Sequence, residues 1–311
     1  MFKYITKRVV ISFLTLLAIL LVLFLMLELM PGSPFNDEKL TSSQLALLNA
    51  KYGLSDPVFI RFFRYVANMF QGDFGVSYVI NKNKAVSALI SGPLSLSIRI
   101  GAMAMVVGSI LGLILGVVAA LNHNTWIDTI CSLISIIGVS VPSYVFALVL
   151  MYYIGFKLGW TPILYATKNP EASMILPVLA LSMFPLANVS RFTRSELIDV
   201  LGSDYIQLVK AKGVKQTGMI LNHALRNALI PIVTIMGPLL VNLLTGSMVV
   251  EKVFGIPGIG MLMVQAIQNN DYNVVIACAF IYSALYIFVM LIVDILYGLI
   301  DPRIRMAKEG S

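Results

Sequence analysis

The chain has 311 residues, of which 59% are hydrophobic and 12% are charged, and its mean hydropathy is +0.89. This composition excludes an ordinary soluble protein and indicates a polytopic membrane protein. The formal net charge is +7, but the cations lie beside apolar segments, where they meet anionic lipid headgroups, and they form no basic stripe interleaved with aromatic side chains. We therefore expect membrane lipid as their partner and no nucleic acid.

Six apolar segments are long enough to cross the hydrocarbon core as helices, which takes about 17 to 25 residues. They are Val9–Met30, Leu94–Leu121, Thr129–Phe156, Ser173–Ser190, Leu229–Val250 and Tyr272–Ile300. Only residues 122–128 separate the second segment from the third, so these two are expected to form a tight hairpin. The sequence thus predicts an all-α integral membrane protein with six transmembrane helices.

The N-terminal region is predicted to be a short tail and the first transmembrane helix, residues 1–30. Cations precede an apolar run, as in a secretory signal peptide. The run is longer than a signal core, however, and it reaches Glu28 without a small-residue cleavage site. We therefore expect a retained membrane anchor.

The connection over residues 31–93 is predicted to be an external loop that contains short amphipathic helices. One helix is expected over residues 43–52 and another over 57–70, ended by Gly53 and Gly72 respectively. The apolar face of the second helix is expected to lie on the outer membrane interface or over the ends of the spans. A lid that stabilises the bundle is favoured over a substrate-selective role.

Residues 94–300 are predicted to form a five-helix membrane core, and residues 301–311 a tail. Lys and Arg concentrate in the short loops on one side, which the positive-inside rule places in the cytoplasm. These cations are Lys3, Lys7, Arg8, Arg191, Arg194, Lys210, Lys212, Lys215, Arg226, Arg303, Arg305 and Lys308, whereas the short outer loops hold only Lys157, Lys168 and Lys252. Both termini and the loop 191–230 are therefore predicted to be cytoplasmic.

Several residues within the spans are given structural roles. Small residues recur at helical spacing in the second span and predict a helix-packing surface; they are Gly101, Gly108, Gly112 and Gly116. Pro142 in the third span is either a kink or a hinge. Ionisable residues at span ends are interpreted as anchors; they are Glu28, Arg99, Arg191 and Asp294. Residues 246–260 are predicted to be a Gly/Pro-rich external loop.

The charged stretch 191–230 is predicted to hold a short amphipathic helix. Ser203 is typical of a helix start, and Gly213 stands where a left-handed C-terminal cap is expected. Apolar side chains recur between them at helical spacing; they are Tyr205, Ile206, Leu208 and Val209. A second helical run, 216–228, leads to Pro231, which can start or bend a helix that re-enters the bilayer. A short helix with an exposed apolar stripe needs a partner surface.

Two strings in this loop carry a resemblance to a known family: DYIQLVKAKGV at 204–214 and HALRNALIP at 223–231. They resemble the cytoplasmic coupling loop of the permease subunits of bacterial peptide ABC importers, in the oligopeptide and dipeptide permease family. The general importer motif has Glu-Ala-Ala, three residues and then Gly. Here Gln207, Leu208 and Val209 stand at the triplet, while the glycine is kept. Further stretches resemble landmarks of the same family; they are 29–35, 51–57, 72–75, 254–260, 293–297 and 301–303.

The resemblance implies the fold of a type I ABC importer permease and, within the family, the B-type subunit of an oligopeptide importer. The implied function is to form half of the translocation path in a bacterial cell membrane. The implied partners are a homologous second permease, two cytoplasmic ATPase subunits, an extracellular peptide-binding protein and the peptide substrate. The chain lacks the phosphate-binding motif GxxxxGK(S/T), so ATP and Mg²⁺ are expected on the partner ATPases and no cofactor on this chain.

The residues to which the resemblance assigns ATPase coupling are Tyr205, Leu208, Val209, Lys210, Ala211, Lys212, Gly213, His223, Arg226 and Pro231. As a hypothesis, the apolar side chains occupy a groove of the ATPase, the cations make rim contacts and Gly213 permits a sharp exit from the helix. No catalytic constellation or metal site is recognisable, and no residue is assigned to the substrate. The alternatives are a dipeptide or nickel-complex importer permease and a secondary carrier, which would require ionisable groups near the bilayer midplane.

Overall fold

The computed structural model of the chain describes residues 2–29, 43, 44, 47, 50, 55–244 and 248–300. Its helices are α1 (Phe2–Leu29), α2 (Val58–Met69), α3 (Val86–Leu121), α4 (Trp126–Ser140), α5 (Ser143–Leu150), α6 (Pro170–Leu201), α7 (Asp204–Ala211), α8 (Gln216–Gly218), α9 (Leu225–Leu244), α10 (Met248–Phe254), α11 (Ile259–Gln268) and α12 (Tyr272–Ile300). Two π-helical stretches, Met151–Lys157 and Met219–Ala224, follow α5 and precede α9. No strand occurs in these described ranges, as the all-α prediction requires. Most of the predicted helix over 43–52 lies outside the described residues. The landmarks at 31–35 and the tail 301–311 lie wholly outside them.

Among the residues that the structure describes, four helices are long and apolar enough to cross a membrane, namely Thr6–Leu29, Val86–Leu121, Pro170–Leu201 and Tyr272–Val293. Two bent helix pairs reach the same length and composition together, namely Trp126–Ser140 with Ser143–Lys157, and Ile235–Leu244 with Met248–Phe254. Counting each bent pair as one span gives six. This is the number that the apolar segments predict.

The third predicted span is broken at Pro142. Val141 has extended backbone angles (φ −88°, ψ 123°) and Pro142 precedes the first residue of α5. The two helix axes are bent by 104° at this point, because proline removes a backbone donor and disfavours helical angles in the residue before it. Pro142, predicted to be either a kink or a hinge, therefore lies at a sharp bend. Pro177 and Pro185, by contrast, lie within the continuous helix α6.

The chain divides into two compact units, one made of residues 1–97 and 257–291 and the other of residues 98–256 and 292–311. The first unit contains α2, which confirms the predicted helix over 57–70, and Gly72 follows it with φ +79°. One face of α2 lies on α1: the Phe24 and Phe62 ring centroids are 5.7 Å apart. Arg61 Nη1 lies 3.0 Å from the carboxylate of Glu28, so the predicted span-end anchor is in an ion pair. The exposed apolar side chains of α2 and its C-terminal end are Phe59, Ile60, Phe63 and Phe70.

A fully buried carboxylate fixes the loop that follows α2 in the same unit. Asp271 accepts hydrogen bonds from the Ser77 hydroxyl at 2.5 Å and from the backbone N–H groups of residues 78, 79 and 80 at 3.0 to 3.1 Å. The Tyr65 hydroxyl donates to the backbone oxygen of Asn273 at 3.1 Å, and burial raises the pKa of Tyr65. A buried carboxylate is tolerated where several donors bind it. The same hydrogen bonds tie this loop to the residue just before α12.

The second membrane helix begins earlier than the sequence predicts. α3 starts at Val86 rather than at Leu94, and Pro93 lies inside it. Val86, Leu89 and Ile90 are buried in the core of the first unit, and their burial favours helix over the loop that Pro93 suggests.

In the second unit, the glycines of α3 lie against the backbone of α6. A Cβ atom at Gly108 would lie 2.5 Å from the carbonyl oxygen of Ser182, and one at Gly112 equally close to that of Leu186. A Cβ at Gly101 would collide with the Leu243 carbonyl of α9. The predicted packing surface is therefore confirmed, since only glycine lets the backbones approach so closely.

The contacts between α4 and α6 show in which direction these two helices run. Ser135 Oγ lies 2.9 Å from Ser190 Oγ, and a Cβ at Gly138 would lie 2.9 Å from Ala187 Cβ. Residue numbers rise on α6 as they fall on α4, so the two helices are antiparallel. The end of α3, the start of α4 and the end of α6 consequently lie on one side of this unit.

The prediction of a Gly/Pro-rich loop over 246–260 is wrong in part. Met248–Phe254 is the helix α10, and another helix begins at Ile259. Val250 and Phe254 are buried, and burial of these apolar side chains stabilises a helix that the neighbouring glycines obscured. The loop between the two helices holds Gly255, whose φ is +63°.

Candidate coupling site

The predicted amphipathic helix is confirmed as α7, Asp204–Ala211. Ser203 precedes it with extended backbone angles (φ −73°, ψ 152°). The Ser203 hydroxyl donates to the carbonyl of Val200 at 2.5 Å and makes no cap bond to α7. The start position is therefore as expected for an N-cap residue, but its side chain holds the helix to the end of α6 instead.

Gly213 ends the helix as predicted. Its φ is +76°, and its N–H donates to the carbonyl of Lys210 at 3.0 Å. A Cβ built at this position would meet nothing within 4 Å. Glycine is thus required by backbone conformation and not by crowding, because other L residues rarely adopt positive φ.

The apolar stripe of α7 divides into an inward and an outward part. Ile206 is fully buried in a cluster with Ala120, Leu197, Met219, Ile220, Ala224 and Ala228. Val209 is half-buried and packs against the same cluster. Tyr205 and Leu208 are 39% and 57% exposed. Burial of Ile206 is worth about 2–3 kcal/mol, so α7 is anchored to the ends of α3 and α6 while two large side chains remain outside.

The second part of the site lies beside α7. The cluster side chains Met219, Ile220 and Ala224 belong to the π-helical stretch before α9. The Asn227 amide donates to the Tyr205 hydroxyl at 2.7 Å and so links α9 to α7. Pro231 is half-buried inside α9, which continues through it and does not begin there.

The outward surface of the site is basic. Its exposed members among the predicted coupling residues are Tyr205, Leu208, Lys210, Ala211, Lys212, Gly213, His223 and Arg226. Val214 and Leu221 add apolar side chains that are 39% and 62% exposed. Large exposed apolar side chains rimmed by cations are typical of a surface that meets a protein groove with an acidic rim.

Sequence reasoning missed an ion pair beside this site. Arg194 of α6 binds both carboxylate oxygens of Asp128, with its Nε 2.6 Å from Oδ1 and its Nη2 2.7 Å from Oδ2. His123 Nδ1 lies 3.1 Å from Arg194 Nη2. The sequence signal was an acidic residue in the turn between the second and third spans together with an arginine at the inner end of the fourth. Within the part of the chain that the structure describes, no group of three or more His, Cys, Asp or Glu residues could hold a metal ion.

Two protein-family models match the chain. The binding-protein-dependent transport system inner membrane component matches residues 112–306. The N-terminal part of the binding-protein-dependent transport system membrane component matches residues 1–85.

Individual proteins match over nearly the whole length. The dipeptide transport system permease protein of Lactococcus lactis subsp. cremoris is 41% identical over 306 residues, which cover 98% of this chain and 100% of that protein. The oligopeptide transport system permease protein of Haemophilus influenzae is 40% identical over 306 residues, with the same coverage.

A solved structure supports the fold. A chain of the MetNI methionine ABC transporter, in an inward facing conformation, superposes with a TM-score of 0.52 at 17% identity, covering 70% of this chain and 95% of that one. At this identity the likeness concerns the fold alone, which is that of a type I ABC importer permease, as predicted. By the length and the identity of these matches, the chain belongs to the family of binding-protein-dependent transport system inner membrane components, which are integral membrane proteins.

Proposed function

We propose that this chain is the permease subunit of an ATP-driven peptide importer and forms half of its translocation path. The observation that carries the proposal is the near-complete match, at 40 to 41% identity, to permeases named for dipeptide and oligopeptide transport. Because the relatives include both classes, the substrate class is peptides, without a length limit drawn from this chain.

The coupling site supports the proposal through its two-sided helix. Tyr205 and Leu208 offer large exposed side chains to a partner, while Ile206 is buried among residues of α3 and α6. A force applied to the outer face of α7 is therefore carried into the ends of two membrane helices. In this proposal the partner is a cytoplasmic ATPase, whose groove receives Tyr205 and Leu208 and whose acidic rim meets Lys210 and Lys212.

For Val209 we propose a supporting role in place of the groove contact that the resemblance implies. It packs against the cluster around Ile206. It therefore strengthens the attachment of α7 to that cluster, and the groove contact is left to Tyr205 and Leu208. Gly213 permits the exit from the helix, and His223 and Arg226, both exposed, extend the contact surface. Pro231 lies within α9 and acts on its shape.

The complete importer contains partners that supply what this chain lacks. Two ATPase subunits bind ATP and Mg²⁺ in the cytoplasm, a homologous second permease completes the path, and an extracellular peptide-binding protein delivers the substrate. In this arrangement both termini and the loop 191–230 face the cytoplasm of a bacterial cell. Residues 1–30 anchor the chain, residues 31–93 form the external insertion, residues 94–300 form the core and residues 301–311 form a cytoplasmic tail. Alternating access follows when ATP binding shifts the population between two arrangements of the membrane helices.

The proposal is tested by replacing one outward side chain of α7. Leu208→Glu places a like charge against the acidic rim and is expected to remove the ATPase subunits from the purified tagged chain while the second permease still co-purifies. Tyr205→Phe keeps the ring and loses only the bond to Asn227, so it serves as the matched control and retains the ATPases. Retention of the ATPases by Leu208→Glu would show that α7 is not their docking element.

A further inference from the structure

The Asp128–Arg194 ion pair joins α4 to the end of α6. Asp128 lies in the first turn of α4, and the guanidinium binds its two carboxylate oxygens at 2.6 and 2.7 Å. The N–H of Asn124 donates to the same carboxylate at 3.0 Å. The Asp128 side chain is only 6% exposed, and that of Arg194 is 30% exposed. A shielded bidentate pair fixes both direction and distance, which an exposed pair does not.

The pair lies one helical turn from the anchor of the coupling helix. Arg194 and Leu197 are three residues apart on α6 and so share a face. Leu197 is fully buried in the same cluster as Ile206 of α7. The ion pair therefore ties α4 to the same cluster that holds α7 to α3 and α6.

Two further contacts between α4 and α6 involve small side chains. They are the Ser135–Ser190 hydrogen bond and the close approach of Gly138 to Ala187. Smooth seams of this kind allow packed helices to slide past one another by small shear movements. Among the α4–α6 contacts described above, the Asp128–Arg194 pair is the one that joins two opposite charges and fixes the register.

We infer that Asp128 and Arg194 are positioning residues that make α4 follow α7 when the ATPases move it, an inference that rests on the proposed peptide import. α4 leads to the 104° bend before α5, so its displacement reaches the second half of the broken third span. When the pair is absent, the ATPases still move α7, α3 and α6, but α4 slips along its seam. ATP is then hydrolysed with little transport.

A second ion pair in the same unit provides a matched control. Arg99 of α3 and Glu171 of α6 are joined at 2.6 Å, but their side chains are 51% and 64% exposed. Glu171 lies in the first turn of α6, at the end opposite to Arg194. Exposed pairs contribute little, so Glu171→Gln should change neither transport nor hydrolysis.

The test measures peptide uptake per ATP hydrolysed by the complete complex in proteoliposomes. Asp128→Asn and Arg194→Gln are expected to keep peptide-stimulated hydrolysis and to lower uptake per ATP by about tenfold, within the usual range of coupling effects. Arg194→Lys keeps the charge without the paired bonds and should be intermediate. The charge exchange Asp128→Arg with Arg194→Asp should recover part of the ratio lost in either single variant.

A reporter on α4 makes the test independent of the substrate. Ser140 lies on the wall of a cavity of about 390 Å³ that is also lined by Ser190 and Arg191. The native cysteines, Cys131 and Cys278, are buried, so a maleimide reports mainly on Ser140→Cys. Its labelling should change between nucleotide-free and ATP-trapped complexes, and Asp128→Asn should abolish that change while Glu171→Gln preserves it.

Two outcomes would overturn the inference. Uptake, hydrolysis and assembly that fall in proportion would give the pair a purely structural role. Unchanged uptake per ATP and unchanged Ser140→Cys labelling would give it none. If the unaltered complex takes up no peptide, the proposed function fails, and the labelling experiment still decides whether the pair moves α4.

Discussion

Replacing Gly213 by valine changes the exit from α7 without crowding any neighbour. The glycine has φ +76°, and nothing lies within 4 Å of its would-be Cβ, so the cost comes from the backbone alone. Left-handed conformation costs an L residue about 1–2 kcal/mol. A change of that size alters a two-state population by a factor of about 5 to 30.

We therefore expect Gly213→Val to lower ATP-driven peptide uptake by about tenfold while membrane insertion is kept. The assay is uptake of a labelled peptide into proteoliposomes that contain the whole complex, with the amount of inserted chain measured by a C-terminal tag. Gly213→Asn should retain most of the uptake, because asparagine tolerates the left-handed region.

Gly202 supplies the matched control, since it lies on the other side of α7 with φ −80° and only ordinary contacts at 3.6 and 3.7 Å around its Cβ position. Gly202→Ala should leave uptake unchanged. Normal uptake by a correctly inserted Gly213→Val variant would refute the role given to this cap. Equal losses in Gly213→Val and Gly213→Asn would refute the conformational cause.

Three further predictions concern stability, measured by thermal denaturation in mild detergent. Ile206→Ala should destabilise the chain by about 2–5 kcal/mol because it leaves a cavity in the cluster below α7, whereas Leu208→Ala should not; equal effects would contradict the inward and outward division of the helix. Asp271→Asn should cost about 3 kcal/mol, because an amide places donors against donors in a buried site, and Asp73→Asn, on an exposed residue, should cost little. Gly112→Ala should cost about 1–3 kcal/mol by forcing α3 away from α6; a neutral result would show that the two backbones separate freely.

The broad features of the fold could be predicted because they follow from local rules. Apolar length fixes the number of spans, and the bounds of α7 follow from Ser203 and Gly213. The amphipathic character of α7 could be predicted as well. The 3.6-residue period of α7 does not predict that Ile206 is buried and Leu208 exposed. Which side chain is buried depends on which face of α7 packs against α3 and α6.

The features that the sequence did not predict depend on distant residues. Asp128 and Arg194 are 66 positions apart, and Asp271 is 194 positions from Ser77; single-sequence patterns do not report such pairings. The helical start at Val86 was hidden by Pro93, since tertiary burial outweighs the local preference. The extent of the bend at Pro142 was likewise open until the packing of α4 and α5 was known.

The most direct measurement is peptide uptake by the purified complex in proteoliposomes, with ATP inside or outside and with or without the peptide-binding protein. ATP-driven peptide import predicts uptake only when ATP reaches the ATPase side and the binding protein is present on the other. Uptake by this chain alone without ATP, or purification of the chain without ATPase subunits and a second permease, would contradict it.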